Sequence, residues 1–167
     1  MTLVRLGSRP PPSFDDPVGV LDACHRRIED RLALLERAIA ALPAPEAVAA
    51  LADVVRHFDT AGVRHTEDEE QSVFPRLPRE PILAELEADH RAAEAIYLAF
   101  RTVASRVAAE PSLRDELASH AAALAAAYRG HIRREEAELF PRARALSPAE
   151  LRAVGIEMRL RRGGAEP

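Results

Sequence analysis

The sequence predicts an all-α protein, and three features of it carry that prediction. Four long segments repeat apolar residues in steps of four and three, the period of one helix face. The 13 prolines fall between those segments rather than inside them, where each would break a helix. Alanine and aliphatic residues dominate, aromatics are only 4%, and β-branched runs are absent, which favours helix over sheet. At 167 residues the chain can bury a real core but is short for two domains of ordinary size.

The first helix is expected to begin at Asp16-Pro17, with Asp as cap and Pro at the first helical position. Its inward stripe is Leu21, His25, Ile28, Leu32, Leu35, Ile39 and Leu42, and Pro43 and Pro45 end it. The second, about residues 46–73, places Leu51, Val55, Phe58, Gly62, His65 and Glu69 on one face before Pro75, Pro78 and Pro81 make a turn. The third, about residues 82–109, does the same with Leu83, Leu86, His90, Ala93, Tyr97, Phe100 and Ala104. Pro111 closes it and Ser112 is expected to cap the fourth, about residues 113–140, with Leu117, His120, Leu124, Ala127, His131 and Glu135 inward. A capping box, Ser147-Pro148-Ala149-Glu150, starts a short final helix to about Leu160, which Leu151, Val154 and Met158 would pack.

Short connections make consecutive helices antiparallel neighbours, so the expected architecture is an up-down-up-down four-helix bundle with a short C-terminal fifth helix. The expected divisions are a flexible N-terminal arm at 1–15, the bundle at 16–146, and the last helix and tail at 147–167.

The formal charge is -4, and every basic residue is Arg. A mildly acidic chain has no electrostatic reason to seek nucleic acid or an anionic membrane, and Arg159, Arg161 and Arg162 read as a solvated helix end. Cys24 is the only cysteine, which rules out an intramolecular disulfide or a Cys-rich zinc site and suits a reducing compartment. Residues 1–13 lack the apolar stretch of a signal peptide, and the longest uncharged stretch, 117–128, is too short to span a bilayer. A cytoplasmic location is the expectation.

Chemistry enters through a repeat. His65-Thr66-Glu67-Asp68-Glu69 and His131-Ile132-Arg133-Arg134-Glu135 each set a His and a Glu one helical turn apart, each is followed by Phe-Pro, and they lie 66 residues apart. His25 and His90 precede them, separated by 65 residues. In an antiparallel bundle these positions bring all four histidines to one level, roughly 12–15 Å from one end. Glu69 and Glu135 fall on the same inward stripes, where an unpaired carboxylate is strongly disfavoured and a metal would neutralise both. Imidazole nitrogen with carboxylate oxygen suits iron or manganese, and also zinc, whereas an iron–sulfur cluster would need thiolates.

This pattern of single His, His-x-x-x-Glu with Phe-Pro, single His, and a second His-x-x-x-Glu with Phe-Pro resembles the hemerythrin-like (HHE cation-binding) domain family over about residues 16–146. The resemblance implies two non-haem iron ions, one held by His25 and His65 and the other by His90 and His131. Glu69 and Glu135 would bridge them beside an oxo or hydroxo group, giving a near-symmetric site. Oxygen-carrying members are similar but place a second His one turn after the third-helix ligand, where this chain has Glu94, matched by Glu29 in the first half. These two carboxylates could ligate the metals, hydrogen-bond the histidines, or pair with Arg at the boundary, and they argue against reversible oxygen carriage. Glu136 competes with Glu135 for the bridge, and the internal repeat favours Glu135.

Tyr97 and Tyr128 could line the cavity as donors or oxidisable groups, or serve as core aromatics. His57 and His120 lie too far along their helices to ligate. Cys24 reads as a redox thiol or a buried structural cysteine. The functional expectation is a protein that binds or senses oxygen, peroxide, nitric oxide or iron. Its alternatives are a di-iron oxidase, peroxidase or iron–sulfur repair enzyme of the same fold, and a metal-free interaction bundle.

Overall fold

A computed structural model describes residues 12–164, and among these every regular element is helical. The chain runs through α1 (Pro17–Ala41), α2 (Pro45–His57), α3 (Val63–Asp68), α4 (Pro81–Ala104), α5 (Arg114–Arg134), α6 (Phe140–Arg144) and α7 (Pro148–Arg161). No helix among the described residues is long and apolar enough to cross a membrane. Residues 1–11 of the expected N-terminal arm lie outside the described residues; Phe14 is buried.

Local chemistry starts the helices at both ends of the chain. Asp16 caps α1 by accepting a hydrogen bond from the Gly19 amide at 2.9 Å, with Pro17 at the first helical position. The cap needs glycine there, because a Cβ on Gly19 would sit 2.2 Å from Asp16 Oδ2. Ser147 and Glu150 form a complete capping box at the start of α7. Ser112 does not cap α5: Pro111–Leu113 forms a 3-10 turn and Leu113 takes the cap position without a side-chain bond. The third helix stops at Ala104, short of the expected 109, and a series of turns carries Val107 into the core instead.

Two expected continuous helices are interrupted by π-helical turns. Phe58–Gly62 joins α2 to α3, Glu69–Val73 follows α3, and Glu135–Leu139 joins α5 to α6. The wider i→i+5 turn offsets the rotation that two successive α-helical steps of four would accumulate, so His65, Glu69 and Val73 are all buried, as are His131, Glu135 and Leu139. The first π turn also shifts the phase of α2, which buries Val54 where periodicity placed Val55. Pro141 does not end the fourth rod but lies within α6, and Arg142 Nη1 donates to the Glu138 carbonyl at 2.6 Å.

Cross-helix contacts set the directions of the rods. Arg114 donates to the Ala40 carbonyl at one end while Glu135 meets His25 at the other, so α1 and α5 are antiparallel. Tyr97 with Val55 and His90 with Glu70 set α4 antiparallel to the second rod. Glu85 with Arg134 and His90 with His131 do the same for α4 and α5. Helix α7 packs on α1 through Val154 and Met158 and is tied to α3 by Arg161 and Arg162 at Asp68, and Gly155 permits backbone contact, since a Cβ there would clash with the Phe14 carbonyl oxygen.

The apolar core is split in two. Ile28, Leu32, Leu35, Phe100, Leu117 and Leu124 belong to one cluster, and Leu21, Leu86, Leu139, Val154 and Met158 to the other. Each fully buried side chain of this kind contributes roughly 1.5–3 kcal/mol. Between them lies a polar layer of His25, His65, Glu69, His90, His131 and Glu135, at most 9% exposed.

Candidate metal centre

Each rod delivers its share of this layer from an apolar stripe. His25 follows Leu21 on α1 and His90 follows Leu86 on α4, each one turn on; His65 and His131 precede Glu69 and Glu135 by one turn. All four rings aim Nε2 inward. Glu135 is hydrogen-bonded to His25 Nε2 at 3.0 Å and lies 3.0 Å from His131 Nε2, 3.7 Å from His90 Nε2 and 4.0 Å from His65 Nε2. Glu69 lies 3.3 Å from His90 Nε2 and 3.6 Å from His65 Nε2.

The six residues form two overlapping groups that share both glutamates: His25, His65, Glu69 and Glu135, and Glu69, His90, His131 and Glu135. Within each group one ligand atom per residue lies within 4.8 Å of every other.

The outer Nδ1 atoms meet a second set of acids that sequence reasoning assigned differently or missed. His25 Nδ1 is 3.1 Å from Glu136, which therefore flanks a histidine rather than bridging. His90 Nδ1 is 2.7 Å from Glu70, the residue in the first half that matches Glu136. His131 Nδ1 is 3.6 Å from Asp89. The Glu69-Glu70 and Glu135-Glu136 doublets were the available signal for two of these partners. The Phe-Pro motifs have a cross-half role: Phe140 stacks on His25 at 4.9 Å and Phe74 on His90 at 6.1 Å between ring centroids.

Other predicted positions stand away from the ligand atoms. Glu29 pairs with Arg129 at 3.1 Å, and Glu94 is exposed at the wall of a pocket. Tyr97 and Tyr128 both line the pocket, the Tyr97 hydroxyl donating to Asp59 at 2.8 Å and Tyr128 packing on Phe58 at 4.9 Å. His120 is turned toward Glu116, half-exposed, because α5 buries Ala121 instead. The pocket, about 450 Å³, opens onto His65, His90 and His131. Arg161 and Arg162 are not a solvated end: both reach the fully buried Asp68, Arg162 at 2.5 Å, and Arg162 also lies 3.7 Å from Cys24 Sγ.

Electrostatics make this layer a strained place for two acids. Burial and repulsion from Glu135 push Glu69 up to about 8. Burial opposes ionisation of Glu135 too, but the imidazoles of His131, His25 and His90 hold it well below the usual carboxylate range. His65, desolvated and beside His25, is driven well below its ordinary value and stays neutral, as a ligand must. Both nitrogens of His65 and His131, both oxygens of Glu69, His90 Nε2 and Glu135 Oε1 are buried without a hydrogen-bond partner. Orphaned atoms are rare in a folded interior, and here His65 Nε2, His90 Nε2, His131 Nε2, Glu135 Oε1 and the Glu69 oxygens converge on one volume. A nitrogen and oxygen donor set of this kind fits a metal cation.

The model for the hemerythrin HHE cation binding domain matches residues 16–143, while no curated protein and no solved structure matches the chain. With its paired His and Glu groups in place, the chain belongs to the hemerythrin HHE cation-binding domain family.

Proposed function

We propose that this chain is an up-down-up-down four-helix bundle, spanning residues 16–146 with α7 as an added short helix, that holds a non-haem di-iron centre. His25 and His65 would hold one iron and His90 and His131 the other, with Glu69 and Glu135 common to both groups. The observation that carries this reading is the convergence of buried, partnerless nitrogen and oxygen atoms from three of the four rods, with His25 Nε2 of the first rod against Glu135 in the same layer. Two dications neutralise the two carboxylates that otherwise repel one another. Manganese or zinc would suit the same donors.

When bound, the iron pair supplies redox-active, Lewis-acidic chemistry to oxygen, peroxide or nitric oxide, or reports iron availability. The chain's own residues hold and tune it. Glu136 and Glu70 meet the outer nitrogens of His25 and His90 at hydrogen-bond distance and would fix the tautomer that leaves Nε2 for the metal, while Asp89 acts on His131 through its charge at 3.6 Å. The two apolar clusters exclude water from either side of the layer. The pocket beside His65, His90 and His131 gives a small ligand its route in. Its volume of about 450 Å³ is far larger than a diatomic needs, which favours as a second reading an oxidase, peroxidase or iron–sulfur repair enzyme.

We place the protein in the cytoplasm, with a small diatomic or peroxide as partner and neither nucleic acid nor membrane. Metal analysis of the purified chain tests the centre: about two irons per chain support it, and a folded chain that takes up no metal on reconstitution sinks it. Repeated turnover of peroxide by the reduced protein separates the enzyme from the sensor.

A further inference from the structure

The repeat predicts a near-symmetric site, but the outer nitrogens are not treated alike. In the second half both histidines face an acid: Glu70 at His90, 2.7 Å, and Asp89 at His131, 3.6 Å. In the first half His25 faces Glu136 at 3.1 Å, while His65 Nδ1 has no acid within ion-pair distance among the described residues; neither His65 Nδ1 nor His131 Nδ1 makes a hydrogen bond, so the two differ in the nearby carboxylate alone. The difference traces to one position. Asp89 directly precedes His90, and the residue that directly precedes His25 is Cys24. Its thiol is a weak acceptor and stands 3.7 Å from the Arg162 guanidinium, which holds the nearby Asp68 carboxylate in an ion pair of its own.

A neutral imidazole bound through Nε2 carries its proton on Nδ1, and a carboxylate opposite that proton orients the ring and raises its basicity. Losing such a partner typically costs 10–100-fold in metal affinity. We propose that the two metal positions are unequal: the His90/His131 position binds the more tightly, and Asp89 against Cys24 is the positioning difference that makes it so. This rests on the di-iron reading. Asp89 acts through His131, at a distance that is electrostatic rather than a formed hydrogen bond, and shares its Oδ2 with Arg134 at 3.1 Å. The consequence is ordered loading, with the second half filled first.

Because the shared glutamates couple the two ions, the test uses single-site variants of the full chain, titrated anaerobically with ferrous ion by calorimetry. His65→Ala leaves the second-half position and His131→Ala leaves the first. The His65→Ala chain is expected to bind its ion about 10–100-fold more tightly than the His131→Ala chain. Adding Asp89→Asn to His65→Ala removes about tenfold of that advantage, and adding Cys24→Asp to His131→Ala gains about as much, a gain that a merely structural role would not give. Equal affinities in the two single-site chains, or no response to either Asp89→Asn or Cys24→Asp in chains of native helicity, overturns the inference. Equal affinities would leave the di-iron reading standing. A folded wild-type chain that binds no ferrous ion would end both.

Discussion

Glu135 Oε2 lies 3.0 Å from His25 Nε2, joining the first rod to the last across a separation of 110 residues. The same carboxylate meets His131 on its own rod and stands near His65 and His90, so one side chain touches the polar layer from every quarter. Glu69 is its counterpart, and the two carry opposite burdens. Glu135 is stabilised as an anion by the surrounding rings, while Glu69 is destabilised by burial and by Glu135 itself.

Removing either glutamate is expected to empty the centre. Glu69→Ala and Glu135→Ala each delete an oxygen from both proposed metal positions, so each variant should fall well below two irons per chain by elemental analysis. Retention of two irons in either one contradicts the shared assignment.

Metal removal should lower stability measurably. A ligand that binds only the folded chain stabilises it by about 2.7 kcal/mol at a hundredfold excess over Kd and about 4.1 kcal/mol at a thousandfold. Chelation of reconstituted protein should therefore lower the midpoint of thermal unfolding by several degrees, with recovery on adding ferrous ion back. An unchanged midpoint argues that no metal is seated in the layer.

Asp68 predicts an asymmetry between partners of one ion cluster. The acid is fully buried, whereas the Arg161 and Arg162 side chains keep 16% and 12% exposure. Replacing both arginines by Ala strands a buried charge and is expected to cost about 3–5 kcal/mol. Asp68→Ala should cost less, because the freed arginines can swing toward water. Urea unfolding of the two variants decides the order, and the reverse order refutes it.

His57 sets a pH dependence outside the metal layer. Burial, then the charges of Arg31 and Arg27, push its imidazole down to about 4, against an ordinary value of 6.5. Above pH 6.5 it is neutral in both folded and unfolded chains and its contribution is complete. Between pH 6.5 and 4 the unfolded chain takes up the proton and the folded chain does not, so stability is lost as pH falls through that window. In metal-free protein the stability gap between pH 7 and pH 4.5 should shrink in His57→Gln. An equal gap in variant and wild type contradicts the half-buried, neutral imidazole.

Much of the centre was legible because helical periodicity reports which face of a rod turns inward, and His25, His65, Glu69, His90, His131 and Glu135 all sit on such stripes. Prolines and caps marked most rod boundaries for the same local reason, since a missing N–H or a capping oxygen acts within a few residues. Where local rules erred, they erred by phase: the π turns moved Val54 inward and carried the fourth rod through Pro141.

Sequence alone thus determined the helical class, the duplicated His and Glu set, and the level at which it gathers. Only tertiary structure decided which acid faces which outer nitrogen, that Asp68 is neutralised by Arg161 and Arg162, and that among the described residues no acid stands at the outer nitrogen of His65. Those pairings join residues tens to more than a hundred positions apart. They depend on how far one rod is rotated and slid against its neighbour, a quantity fixed by side-chain packing between rods and absent from the period of any one of them.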